Sequence, residues 1–272
     1  MDKRRLVIAL IVLGALALYA LAVPALAGVD DRITDFAQAR TAPSTAHLFG
    51  TDASGRDLFV RIAKAIRTSL LIAAACAALA TVIGVVIGTV SGLTGGWIDR
   101  IVMRSTDAVN ALPHLLLGIV IVAMFRGSGL AVVLSVALTH WTQVARIIRS
   151  EILSLRSRPY IDAAILAGAS RRHIIIHHLV PATAPQALIA VVLLLPHAVW
   201  HESTLSFLGF GLPPHTPSVG TLLEEARSSL LLGGWWTLVF PAGILVVTTI
   251  TVAVAGSALR RHIVPKPTVA IR

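Results

Sequence analysis

The sequence predicts an all-α, polytopic membrane protein with about six transmembrane helices, on three observations. The 272-residue chain is 56% hydrophobic and only 13% charged, where soluble domains carry roughly 25% charged residues. Its mean hydropathy is +0.84. Its apolar residues collect in runs close to the ~20 residues that a spanning helix needs, and most basic residues fall in the short segments between those runs, as they do in membrane proteins.

The first run, 6–27, follows Lys3, Arg4 and Arg5 and ends on the small residues Ala25 and Ala27. That resembles a signal peptide, but the apolar run is longer than a typical signal core and more runs follow, so an uncleaved helix is expected. The remaining spans are 70–90, 101–125, 130–147, 182–200 and 236–258. The fourth is short and amphipathic at its end. In the second, Gly84, Gly88 and Gly92 recur every four residues. That spacing puts them on one helix face, where another backbone can approach closely.

Orientation follows from charge. The connection 143–178 holds Arg146, Arg149, Arg156, Arg158, Arg171 and Arg172 against Glu151 and Asp162, and is expected in the cytoplasm. The connection 202–234 holds Glu202, Glu224 and Glu225 against Arg227, and is expected outside. Both ends are basic (Lys3, Arg4, Arg5; Arg260, Arg261, Lys266) and six spans would place both termini in the cytoplasm. The segment 29–68 fits less well. It carries Arg56, Arg61, Lys64 and Arg67 on the outside, although five aspartates nearly balance its basic residues.

The net charge of +10 is no sign of nucleic-acid binding, because there is no aromatic-basic interleaving, zinc-finger spacing or RNA-binding motif. Cys76, the single cysteine, has no partner for a disulfide or a CxxC metal site. No G-x-x-x-x-G-K-[ST] loop is present, so ATP chemistry must come from another chain. Ser203 and Ser206 lie near His201 without the G-x-S-x-G elbow of a hydrolase.

The stretch "RPYIDAAILAGASRRHIIIHHLVPATAP" contains Asp162-Ala163-Ala164, then Gly168, then Pro181. It resembles the E-A-A loop of bacterial ABC importer permeases, with Asp162 in place of Glu and His178-Leu179-Val180-Pro181 in place of I-x-L-P. Small residues at Ala163 and Ala164 allow close approach, and Gly168 allows a sharp backbone change. The resemblance implies a coupling helix that docks on an ATP-binding subunit. "HLFGTDASGRDLFVRIAKAIRTSL" (47–70) and "LSFLGFGLPP" (205–214) resemble segments of the peptide/nickel group, C-type permeases. The ending "AGSALRRHIVPK" is similar to that type too, except that Ser257 stands where Asp is usual. The resemblance implies the type I ABC importer permease fold. It divides the chain into 1–68 (first helix and external segment), 69–265 (permease core, coupling loop about 148–178) and 266–272 (cytoplasmic tail).

His197 and His201 are four residues apart in an apolar run, which places them on one helix face. Imidazoles at that spacing can share a metal ion, and they suit nickel, zinc and copper. Pro196 loosens the helix beside them. Counting ~1.5 Å per residue puts the pair towards the external end. A His-x-x-x-His at this distance before S-F-L-G, and "LTHW" at 138–141, resemble the nickel branch; Glu202 occurs in both branches. His140 is expected at a different depth, as a later station. His173, His177 and His178 are read as part of the coupling surface.

The reading that results is a permease subunit of an ATP-driven importer in the bacterial cytoplasmic (inner) membrane. The resemblance implies as partners a homologous permease, two ATP-binding subunits, an external substrate-binding protein and membrane lipid. No cofactor is held permanently. The expected substrate is nickel or another transition metal, free or chelated, with dipeptide or oligopeptide import as the alternative. A membrane sensor or scaffold that transports nothing is the reading from a different class, and the coupling loop argues against it.

Overall fold

The computed structural model describes residues 3–28 and 33–263. The 266–272 tail, Lys266, and Asp30 and Asp31 of the external segment lie outside the described residues. The described chain is helical, with one isolated bridge between Thr51 and Asp57.

Helix α1 (Lys3–Leu26) packs on α2 (Leu58–Thr94), a 37-residue helix. Asp57 caps α2, its carboxylate accepting from the backbone N–H of Phe59 and Val60. At 1.5 Å per residue α2 is ~55 Å long, well beyond the ~30 Å of a hydrocarbon core. It therefore starts twelve positions before the apolar run, and the division at 68/69 falls inside it.

The third span departs from the sequence reading. Instead of one helix over 101–125, the chain forms α3 (Gly96–Ala111) and α4 (His114–Ala123), bent by 86°. Pro113 is the cause. It disfavours helical backbone at the preceding residue, and Leu112 is extended (φ −83°, ψ 141°). Polar residues then hold α3 along α5 (Gly129–Arg156): Arg149 grips Asp99 through Nε (2.5 Å) and Nη2 (2.6 Å), and Thr142 donates to Asn110 (2.7 Å). Among the described residues five helices are thus long and apolar enough to cross a membrane, and a sixth span exists if the bent pair is one.

The α2–α5 contact is built on glycine. A Cβ on Gly84 would lie 2.5 Å from Cβ of Val144, on Gly88 2.5 Å from the carbonyl oxygen of Ala145, and on Gly92 3.0 Å from Cβ of Ile152. Around this seam Ala77, Ala80, Ala137, Val144, Ile148 and Ile152 are buried together.

After α5 come α6 (Pro159–Leu166), α7 (Arg171–Ile174), a π-turn (Ile175–Leu179) and α8 (Val180–Phe207). Pro181 cannot donate to the carbonyl four residues back, and the chain takes the wider π spacing just before it. Helix α9 (Val219–Leu230) is too short to span; a capping box of Ser218 and Thr221 starts it. Helix α10 (Trp236–Ile263) ends the described chain.

Candidate functional site

Glu202, on α8, is wholly buried. The hydroxyls of Ser69 on α2 and Ser206 on α8 donate to its two carboxylate oxygens at 2.8 and 2.9 Å, and Ser203 approaches at 3.4 Å. Ser69 in turn accepts from the backbone N–H of Val219, in the first turn of α9 (3.1 Å). The carboxylate therefore ties α2, α8 and α9 together. Both of its oxygens accept from protein hydroxyls, and the carboxylate is closed off from solvent. Ser203 and Ser206 are engaged in this cage, which accounts for them without hydrolysis.

The histidines arrange differently from the sequence reading. His140 on α5 does not lie at another depth: its ring meets that of His201 edge to face, with centroids 4.6 Å apart. On its other side stands His114, the first residue of α4, at 5.3 Å. Counting residues along straight helices gives position along an axis but not the offset between two helices, and α5 and α8 bring the two rings level. His114 was not anticipated; its only signal was a lone imidazole directly after the proline that breaks an apolar run. His197 is exposed and faces a cavity of about 460 Å³ between α5, α8 and α10. The ring that meets His201 edge to face is that of His140, not that of His197. Among the described residues no group of three or more His, Cys, Asp or Glu side chains could hold a metal ion. Cys76 is buried.

The coupling segment presents an open face. Asp162 and Ala163 on α6 are exposed and Ala164 is half-buried, while Ile161 points inward. Gly168 turns the chain at φ +84°, with open space around it. Pro181 lies in the first turn of α8. His173 and His177 stack at 4.3 Å on the same exposed surface. Arg156 and Arg171 reach back to the last carbonyls of α2, donating to Gly92 (2.9 Å) and Leu93 (3.2 Å). The ends of α5 and α7 are thereby tied to the end of α2.

At the opposite end, Arg61 is buried and donates to Asp52 (2.5 Å) and Glu225 (2.5 and 3.0 Å). Arg56 joins both carboxylates, at 2.7 and 3.1 Å. This four-charge clamp locks the segment before α2 onto α9. Sequence reading missed it because its members lie up to 169 positions apart.

Residues 84–269 match the family described as the binding-protein-dependent transport system inner membrane component. The chain belongs to that family. The permease is 39% identical over 268 residues to the oligopeptide transport system permease protein OppC of Escherichia coli (strain K12), a match covering 98% of this chain and 88% of that protein. It is 38% identical to OppC of Salmonella typhimurium over the same length. It is 34% identical over 259 residues to OppC of Bacillus subtilis (strain 168), covering 95% of this chain and 85% of that one. It is thus a membrane-spanning permease subunit of an ABC importer, a component of a transport system that also comprises a partner permease, an ATPase and a binding protein.

Proposed function

We propose that the permease imports short peptides, which reverses the order in which sequence reading ranked nickel and peptide. The observation that carries the proposal is the match, over nearly the whole chain, to relatives named as oligopeptide permeases. Local chemistry agrees. Glu202 is closed in by serine hydroxyls, and of the histidines only His197 lines the cavity, while the rings in contact are those of His140 with His114 and His201.

In this reading a homologous permease forms the other wall of the path, an external binding protein delivers peptide, and two ATP-binding subunits supply the energy. Asp162, Ala163, Ala164 and Gly168 form the docking surface for one of those subunits, with the 148–178 connection and both termini in the cytoplasm. ATP-driven motion at α6 reaches the membrane through Arg156, Arg171 and the end of α2.

The test is uptake by the complete importer in vesicles. Labelled di- to oligopeptide should accumulate with ATP, and radiolabelled nickel should not. Nickel accumulation without peptide accumulation would reject the reading.

A further inference from the structure

Most outward faces of the permease suit lipid: α1 exposes Leu10, Ile11 and Leu18, and α2 exposes Val82 and Val86. One face does not. Between α5, α8 and α10 runs the cavity of about 460 Å³, with Gln143, Gln186, His197 and Arg260 on an otherwise apolar lining. Gln143, His197 and Arg260 are exposed. Of the histidines only His197 lines the cavity, while His140 makes ring contacts with His114 and with His201. Polar side chains at membrane depth face water or protein, because lipid offers them no hydrogen bonds.

From this we infer that the strip His197–Gln143–Gln186–Arg260 is this chain's wall of the translocation path, and that it handles peptides by their backbone and their C-terminal carboxylate. The ligand class rests on the peptide reading above; the path does not. The chemistry fits a substrate of variable sequence. Each glutamine offers both donors and an acceptor. A peptide moving along the strip therefore exchanges water for alternating donors and acceptors. The apolar lining between them (Val144, Ile147, Ile189, Leu193) makes no demand on side-chain type. Arg260, in the last turns of α10, is the cation at one end of the cavity, and a guanidinium takes a carboxylate through two parallel hydrogen bonds.

The experiment uses the complete importer in vesicles, with Cys76→Ala in this chain and cysteine-free partners. Single cysteines at Gln143, Gln186 and His197 are compared with the lipid-face controls Leu18→Cys and Val86→Cys, using a charged thiol reagent that reacts only in water. Strip positions should react about tenfold faster than controls, peptide should slow them, and modification should stop uptake. Equal rates at strip and controls overturn the strip whatever the substrate is. If the unmutated importer moves no peptide, the substrate reading falls, and the labelling rates alone still decide the path. Separately, Arg260→Gln should raise the KM for a peptide with a free C-terminus about tenfold, as loss of a charge-assisted pair predicts, and leave its C-terminally amidated form unchanged. An equal loss for both forms overturns the carboxylate role.

Discussion

Gly88→Ala should loosen the permease along the α2–α5 seam. The new Cβ would sit 2.5 Å from the carbonyl oxygen of Ala145, where ordinary contact begins at 3.4 Å. That oxygen belongs to helix backbone, so the neighbour cannot rotate away and the helices must part locally by about 0.9 Å. A gap of that size forfeits roughly a quarter to a half of each atom pair's attraction, here for the buried contacts of Ala77, Ala80, Val144 and Ile148. Overpacking of this kind costs about 1–3 kcal/mol, offset by the ~1 kcal/mol that alanine gains over glycine inside a helix. A net loss of up to about 2 kcal/mol is expected, or roughly 2–4 °C per kcal/mol in thermal midpoint. Gly92→Ala meets the side chain of Ile152 at 3.0 Å and should be nearly neutral; Gly243→Ala, with nothing within 4 Å, should be neutral or stabilising. Cys76 is buried on α2, so a thiol-reactive fluorogenic dye follows the melting of this seam in an importer whose partners lack cysteine. Equal midpoints for Gly88→Ala and Gly243→Ala would refute the packing argument.

Two further outcomes follow from the anchors. Glu202→Ala orphans the hydroxyls of Ser69 and Ser206, at about 1–3 kcal/mol each, whereas Glu202→Gln keeps an acceptor and should lose less; detergent unfolding that ranks the two alike would count against the cage. Gly168→Glu places a bulky acid on a positive-φ turn beside α6 and should lower peptide moved per ATP hydrolysed in vesicles, with assembly intact; unchanged coupling would dismiss α6 as the docking surface.

Much of the fold could be read from the residues, because runs of Leu, Val, Ile and Ala of spanning length leave few alternatives in a bilayer. The break in the third span could have been read as well. Pro113 stands in "NALPHLLLG" and forces Leu112 out of helical backbone. A hydropathy run counts only apolar residues, and so passes over it. What could not be read is lateral. The Arg149–Asp99 pair spans 50 positions and the Ser69–Glu202 bond 133. Ser203 and Ser206 are local to Glu202, but nothing local announces that Ser69 will close the cage. The likeness of Glu202 to both branches therefore carried no substrate information, while the placing of His140 against His201 depended on how two antiparallel helices slide past one another.

The clamp at the other end removes a difficulty in the charge pattern. The positive-inside rule counts Arg and Lys able to resist translocation, and the external segment carries several. Arg56 and Arg61 are not free cations in the folded chain: each is matched to Asp52 and Glu225, and Arg61 is only 2% exposed. The same pairing gives "GTDASGRD" a physical meaning position by position. Gly50 (φ +73°) has the Thr41 carbonyl 2.7 Å from where a Cβ would be, and Gly55 (φ +76°) has the Asp35 carbonyl at 1.7 Å, so neither can carry a side chain. The carbonyl of Thr51 accepts from the indole of Trp236 at the start of α10 (3.1 Å). Asp52 holds the turn through the N–H groups of Ser54 and Arg56 and keeps its second oxygen for the two arginines. Asp57 caps α2. Removing one partner of such a buried pair costs about 3–5 kcal/mol, because the other charge is left unpaired. The motif is therefore a fastening of the segment before α2 to α2, α9 and α10, and its charges carry little information about which side of the membrane they occupy.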